Sequence, residues 1–360
     1  MPATSIRDLV FKDADVVVAT HGRSFWIMDD IAPLREMAPA TAAQDAVLYK
    51  PDPAIRVRWN MNPDTPLPGD EPAGENPPDG AVIDYYLKGD AAGPVTLEIA
   101  DAAGKVLRRF SSTDTLYEIP DVNIPPYWIR AQQILSAKGG PHRVTWDLHE
   151  QPLNVPASYP ISAVVGNTAP VASSPWVMPG AYTVRLIVNG KTYTQKLTVK
   201  MDPRVKTAMT ALQEQYDLAL QAYRGRDSAM HAYNQVHALR ADIAGLLHHS
   251  SGAVTGALQE LDAKAAALEG VGRRGGRGVP AGAGTQRKAF SRLQGDYAAI
   301  FTILEEADLE PTAQAVAALH ATEQASRLAM SDWTGLERKD LPALNAQLKA
   351  AGLETLTIQP

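Results

Sequence analysis

The sequence predicts a multidomain chain of β plus α character, with sheets first and helices last. Three observations predict it. Up to Met201, short runs rich in Val, Ile, Thr and aromatics alternate with Gly, Pro, Asn and Asp clusters, the pattern of strands and turns. Beyond Asp202-Pro203 the apolar period changes from two to the 3–4 spacing of a helix face. Between the first β run and the second lies a stretch, residues 60–80, too dense in Pro, Gly and acids to form a core.

The first element is a meander at the very start of the chain. Asp8-Leu9-Val10-Phe11, Val16-Val17-Val18-Ala19 and Phe25-Trp26-Ile27 are three strand-like runs. They are joined by Lys12-Asp13-Ala14-Asp15 and by a His21-Gly22-Arg23 turn, where Gly22 supplies the positive φ a tight turn needs. As written, the chain begins in the middle of a sheet. Residues 1–36 form this unit, and residues 37–80 form an irregular Pro/Gly-rich connector with one strand-like piece, Ala54–Trp59.

An antiparallel β-sandwich is expected over residues 81–201. Ala81–Leu87, Val95–Ile99, Lys105–Phe110 and His142–Leu148 are its first strands. Tyr182–Val188 and Lys191–Val199 flank Asn189-Gly190, the strongest short-range hairpin signal, a two-residue type I′ turn. Residues 111–140 and 149–179 are long excursions rich in Pro and Ser. Residues 202–360 form a helical domain. Its stripes are Leu212 through Leu246 with Gly225 as a point for a kink, Val254 through Leu268, Phe290 through Leu304, and a helix from Thr312 to Met330. Asp340 is placed to cap a last short helix that Gly352 stops, with Leu348 and Leu353 making the apolar contact of a Schellman ending. A flexible loop spans residues 270–284.

Composition bounds function. The chain has 360 residues, a net charge of −6 and no cysteine. The charge argues against a general nucleic-acid binder. The missing thiols exclude disulfides, thiolate metal sites and a cysteine nucleophile. No run reaches the ~18 apolar residues of a membrane span. The N-terminus lacks the apolar segment of a signal peptide, so as written the chain is cytoplasmic.

Chemistry-bearing motifs are sparse. His21 and Arg23 with Asp29 and Asp30 form the most suggestive polar group, placed to hold an anionic or sugar ligand; turn chemistry and backbone capping account for the same residues. Asp13 and Asp15 lack the remaining ligands of a calcium loop. His248-His249 lacks a third ligand at a useful spacing. Trp146 reads as core, while Trp128 and Trp176 sit in the long loops, where an aromatic can stack on a ligand. Arg273-Arg274-Gly275-Gly276-Arg277 reads as a linker. No P-loop, dinucleotide fingerprint or nucleophile elbow is present. No catalytic residue, metal or cofactor is expected.

The run Thr20-His21-Gly22-Arg23-Ser24-Phe25-Trp26-Ile27-Met28-Asp29-Asp30-Ile31-Ala32-Pro33-Leu34-Arg35 resembles the last blade of bacterial sortilin-like (VPS10/BNR-repeat) β-propeller proteins, often labelled glycosyl hydrolase. Gly180–Leu186 with Lys200-Met201-Asp202-Pro203-Arg204 is similar to the domain that follows the propeller there. Asp340–Asn345 with Ala351-Gly352-Leu353 is similar to that family's C-terminus. No Asp-box occurs. The resemblance implies remnant propeller-blade strands, an immunoglobulin-like sandwich and a helical bundle, forming the C-terminal third of a longer, truncated or split protein. It implies a non-catalytic accessory, scaffold or interaction region. Its partner would be the missing propeller segment or another chain covering residues 1–36, and its ligand a protein, peptide or glycan. The alternatives are part of a sialidase-like glycoside hydrolase, or a peptide-binding sortilin-like module. A full-length member is expected in the periplasm or secreted.

Overall fold

The computed structural model describes residues 1, 3–58, 78–161, 165–270 and 288–358. They form two compact units, Met1–Lys206 and Thr207–Pro360. The first carries β sheets and the second is helical.

The first unit opens on three antiparallel strands in sequence order, β1 (Ile6–Lys12), β2 (Asp15–Thr20) and β3 (Phe25–Met28). Asp13 takes φ 53° between β1 and β2, a left-handed conformation that a short polar side chain tolerates. Gly22 and Ser24 take φ 69° and 64° between β2 and β3. All of β1 and β3 is exposed. Leu9 and Phe11 on one face of β1 and Val10 on the other are 48%, 62% and 52% exposed, so neither face is covered. Two short helices follow, α1 (Ala32–Glu36) and α2 (Pro39–Ala42).

Two more sheets share one apolar core. The smaller has the order β4-β6-β9, from β4 (Ala46–Leu48), β6 (Ala81–Leu87) and β9 (Gly140–Trp146). The larger has the order β5-β11-β10-β7-β8, from β5 (Ala54–Arg56), β7 (Thr96–Ala100), β8 (Val106–Ser111), β10 (Gly180–Val188) and β11 (Lys191–Met201). All pairings are antiparallel except β5 with β11. Alternation decides which residues enter the core. Ile83, Tyr85 and Leu87 of β6 face inward with Leu97 and Ile99 of β7, Trp146 of β9, and Val184 and Leu186 of β10. Trp146 is fully buried, sits edge-on to Tyr182 at 5.6 Å, and donates its indole N–H to the His149 carbonyl at 2.8 Å. Gly80 lies so close to Trp146 that a Cβ would stand 2.0 Å from its carbonyl oxygen.

β4 lies inside the stretch read as irregular connector, and β5 coincides with the start of the strand-like piece read there from Ala54. β5 ends at Arg56, and Trp59 falls outside the described residues, as does the Pro/Gly-rich core of that stretch. Asn189 and Gly190 both take positive φ, 49° and 77°, as the expected two-residue turn demands.

In the second unit, α3 (Met209–Leu247), α4 (Ala253–Glu269), α5 (Phe290–Glu305), α6 (Ala313–Gly335) and α7 (Leu341–Ala350) enclose one core. α3 runs unbroken for about 58 Å at 1.5 Å per residue. Its inward face is lined by Ala219, Ala222, Ala229 and Ala232, with Tyr216, Tyr223 and Tyr233 only half-buried at its margins. Gly225 does not interrupt the helix. It makes room for Tyr297 of α5, whose ring would lie 2.4 Å from a Cβ there. Asp340 does not cap α7. A π-helical turn, Leu336–Asp340, carries α6 straight into α7, so helical backbone already satisfies the donors a cap would serve. Asp340 instead meets Lys264 at 3.3 Å. The Schellman ending forms as expected: Leu353 N–H donates to the Leu348 carbonyl at 2.9 Å and Gly352 N–H to that of Lys349 at 3.2 Å. The read loop 270–284 lies, from residue 271 on, outside the described residues.

A polar knot ties α3 to α4. Glu269, its side chain 5% exposed, takes a hydrogen bond from Arg240 and lies 2.6 Å from Nδ1 of His237. Arg240 also reaches Asp262 at 2.7 Å.

Candidate functional site

The four polar residues singled out from sequence do not form one site. His21 and Arg23 lie in the β2–β3 turn, exposed. Their main chains hold the turn: His21 N–H donates to the Ser5 carbonyl at 2.9 Å, and the Arg23 carbonyl accepts from the Trp26 indole at 2.9 Å. Asp29 and Asp30 lie at the other end of β3, half-buried. Five residues lie between Arg23 and Asp29, and the four of β3, Phe25–Met28, alone span roughly 14 Å at 3.4 Å per residue.

Asp29 and Asp30 join a dense junction. The Asp15 carboxylate accepts from Asp30 N–H at 2.9 Å, and the Ala14 carbonyl accepts from Ile31 N–H at 2.7 Å. The Asp30 carboxylate accepts from Ala32 N–H at 3.0 Å, and Arg35 donates to the Asp13 carbonyl at 3.0 Å. Arg143 is the centre. It stands opposite Asp84 in the β6–β9 register and grips that carboxylate with two bonds of 2.9 Å. Two of its three remaining hydrogens go to the carbonyls of Asp29 at 2.9 Å and Asp30 at 2.8 Å. One planar fork therefore joins the meander's exit to the smaller sheet, a task a lysine's single ammonium cannot copy.

Electrostatics give the junction a sign. Burial, then the Asp15 charge, pushes the Asp29 carboxyl above the usual aspartate range, with Arg143 opposing. Burial also raises Asp30, against the pull of the Ala32 N–H. Arg143 is held more firmly protonated, chiefly by its bonds to Asp84. The acids here serve as acceptors for backbone donors and as neighbours of one guanidinium. Among the described residues no group of three or more His, Asp or Glu can hold a metal ion.

Arg143→Ala is expected to loosen the meander while leaving the two-sheet core folded. Amide hydrogen exchange of residues 6–31 should rise about tenfold or more, the effect of losing hydrogen bonds to a charged donor. Unchanged exchange would show that the fork does not hold the meander.

The other residues weighed from sequence fall elsewhere. His248 and His249 end α3, where His249 N–H donates to the Leu246 carbonyl at 3.0 Å. Trp146 is core. Trp128 is half-buried in the loop after β8, and Trp176 is half-buried against His149. An open cleft of about 380 Å³ is lined by Met37, Ala38, Pro39, Thr41, Tyr49 and Tyr86, without a charged group. Sequence reasoning missed Asp84 and Arg143, both at outward positions of alternating strands, because only the pairing of β6 with β9 brings them together.

No protein-family model, curated protein or solved structure matches this chain. Among the described residues no helix is long and apolar enough to cross a membrane.

Proposed function

We propose that the chain is a non-catalytic accessory region, a scaffold or interaction surface, of the sortilin-like BNR-repeat kind. In this reading β1–β3 are blade strands, the two core sheets are an immunoglobulin-like sandwich, and α3–α7 are a helical bundle. The observation that carries it is the meander. Phe25, Ile27 and Met28 of β3 are 72%, 62% and 56% exposed, and both outer strands lack a further strand among the described residues. Three strands apolar on both faces bury too little to stand alone, and open edges invite added strands. The surface fits a β-rich partner that supplies strands and apolar faces together. His21 and Arg23 then lie on the exposed rim of the docked sheet, where they can meet a protein, peptide or glycan.

Sedimentation velocity tests this reading. The purified chain, without its partner, is expected to associate reversibly in the micromolar range. A Val10→Lys/Ile27→Lys variant, which charges the meander, is expected to stay monomeric with unchanged circular dichroism. A wild-type chain that stays monomeric throughout that range would remove the need for a partner. Hydrolysis of a nitrophenyl glycoside by the chain, abolished by one carboxylate substitution, would favour the hydrolase reading instead.

A further inference from the structure

The open edge of β1 carries a pattern that complements itself. A two-residue turn, Asp13-Ala14, joins β1 to β2, and Lys12 and Asp15 close it as a hydrogen-bonded pair. Bonded pairs alternate along an antiparallel ladder, so Val10 with Val17 and Asp8 with Ala19 are the next ones. Leu9 and Phe11 therefore turn their N–H and C=O groups away from β2. The Leu9 N–H agrees: its bond, 2.8 Å, goes to the Asp8 carboxylate and not to β2. β1 is exposed along its whole length, and no strand lies beyond it among the described residues. The outward groups of Leu9 and Phe11 stand at an open edge.

The side chains supply the second observation. Asp8, Val10 and Lys12 share one face of β1, and Leu9 and Phe11 the other. Turned end for end about Val10, the strand meets its own complement. Asp8 falls opposite Lys12, Leu9 opposite Phe11, and Val10 opposite itself. The flanking residues, Arg7 and Asp13, are again of opposite sign. The same register sets the outward groups of Leu9 against those of Phe11, so each such pair exchanges two bonds. Centring the pairing on Leu9 or on Phe11 keeps the bonding pattern but sets Asp8 or Lys12, respectively, against Val10. Only the Val10 centre pairs the charges.

We infer, on the reading of the meander as a surface that takes a partner, that its β1 edge binds β1 of a second copy of this chain. The two strands run antiparallel about Val10 and join two three-stranded meanders into one six-stranded sheet. The contact is two-fold symmetric, which demands a patch that complements itself, and the Asp8–Lys12 pair is made twice. β3, at the far edge, stays open to a different partner. Pairing displaces little. The Asp8 carboxylate gives up the exposed Leu9 N–H, which passes to the Phe11 carbonyl of the second copy. Lys12 gives up Asp13, 2.5 Å away, in an ion pair whose side chains are 73% and 82% exposed and which contributes little.

Sedimentation velocity of the full chain, with the two charges exchanged, tests the register. Wild type is expected to form dimers in the micromolar range. Asp8→Lys sets like charges opposite each other at both pairs, as does Lys12→Asp. Each should weaken dimerisation about tenfold or more, because like charges directly opposed across strands repel. The double variant Asp8→Lys/Lys12→Asp restores opposite signs and should recover the dimer. An equimolar mixture of the two single variants should recover it as well, since the lysines of one chain then face the aspartates of the other. A local effect of either substitution on its own strand cannot imitate that rescue. Association that neither single variant weakens would overturn the inference and place the contact elsewhere on the meander, leaving the need for a partner intact. Weakened single variants that the mixture does not rescue would overturn it too. A wild-type chain monomeric throughout the range would remove the need for a partner and this pairing with it.

Discussion

Replacing Trp146 by Ala is expected to lower the stability of the first unit by about 3–5 kcal/mol, the range for emptying a fully buried indole. The site has little room to collapse. Ile83, Tyr85 and Leu186 are held by strand register, and Tyr182 meets the ring edge-on. The loss has a polar part as well, because the His149 carbonyl gives up its 2.8 Å bond from the indole. Urea unfolding followed by circular dichroism checks this. Trp146→Phe, which keeps an aromatic ring but no N–H, should lose clearly less. Equal losses for the two variants would place the whole effect in the hydrogen bond and contradict the packing argument.

Arg240→Ala is expected to destabilise the helical unit by about 3 kcal/mol at neutral pH, the lower end for breaking a buried ion pair, since His237 remains beside Glu269. Burial alone raises the Glu269 pKa, but hydrogen bonds from Arg240 and His237 outweigh it and hold the carboxyl below the usual glutamate value. A depressed folded pKa means stability that is present above the unfolded value of 4.5 and lost as pH falls through the folded one. In the variant only burial and His237 act, and the acid pays a desolvation cost whenever it is ionised. The gap between wild type and variant should therefore be largest near pH 7 and shrink below about pH 4. Urea midpoints across that range decide the matter. A gap independent of pH would assign the loss to the arginine's aliphatic stem, not to Glu269.

What could be read in the sequence was local. The alternation of Ala81–Leu87, the Asn189-Gly190 turn and the Gly352 ending each carry their geometry within a few residues. β5 was legible as the strand-like piece from Ala54, but β4 was not, because a three-residue strand exists only through its partner, here β6. Gly225 stood out as an oddity within α3, yet its reason, the Tyr297 ring, comes from a different helix. The Asp340 cap failed because nothing local announces a π turn. For the site, nearness along the chain misled. His21 and Arg23 are close to Asp29 and Asp30 in sequence, but an extended strand between them carries the two pairs apart. Asp84 and Arg143 are brought together by sheet pairing that a single sequence does not display.

The parallel pairing of β5 with β11 has a consequence for synthesis. Ala54 finds its partner Val199 only after roughly 145 further residues have left the ribosome. At ~5–20 residues per second this is a wait of roughly 7–30 s. Loop closure over that span comes late and slowly. During it, the apolar residues of β4 and β5 lack the core they end in, and the meander upstream is already out. The nascent chain is thus most vulnerable to misassociation before Met201 emerges, and a holding chaperone would act in that window. Strengthening the core after closure would leave the delay untouched, because the order of the strands sets it.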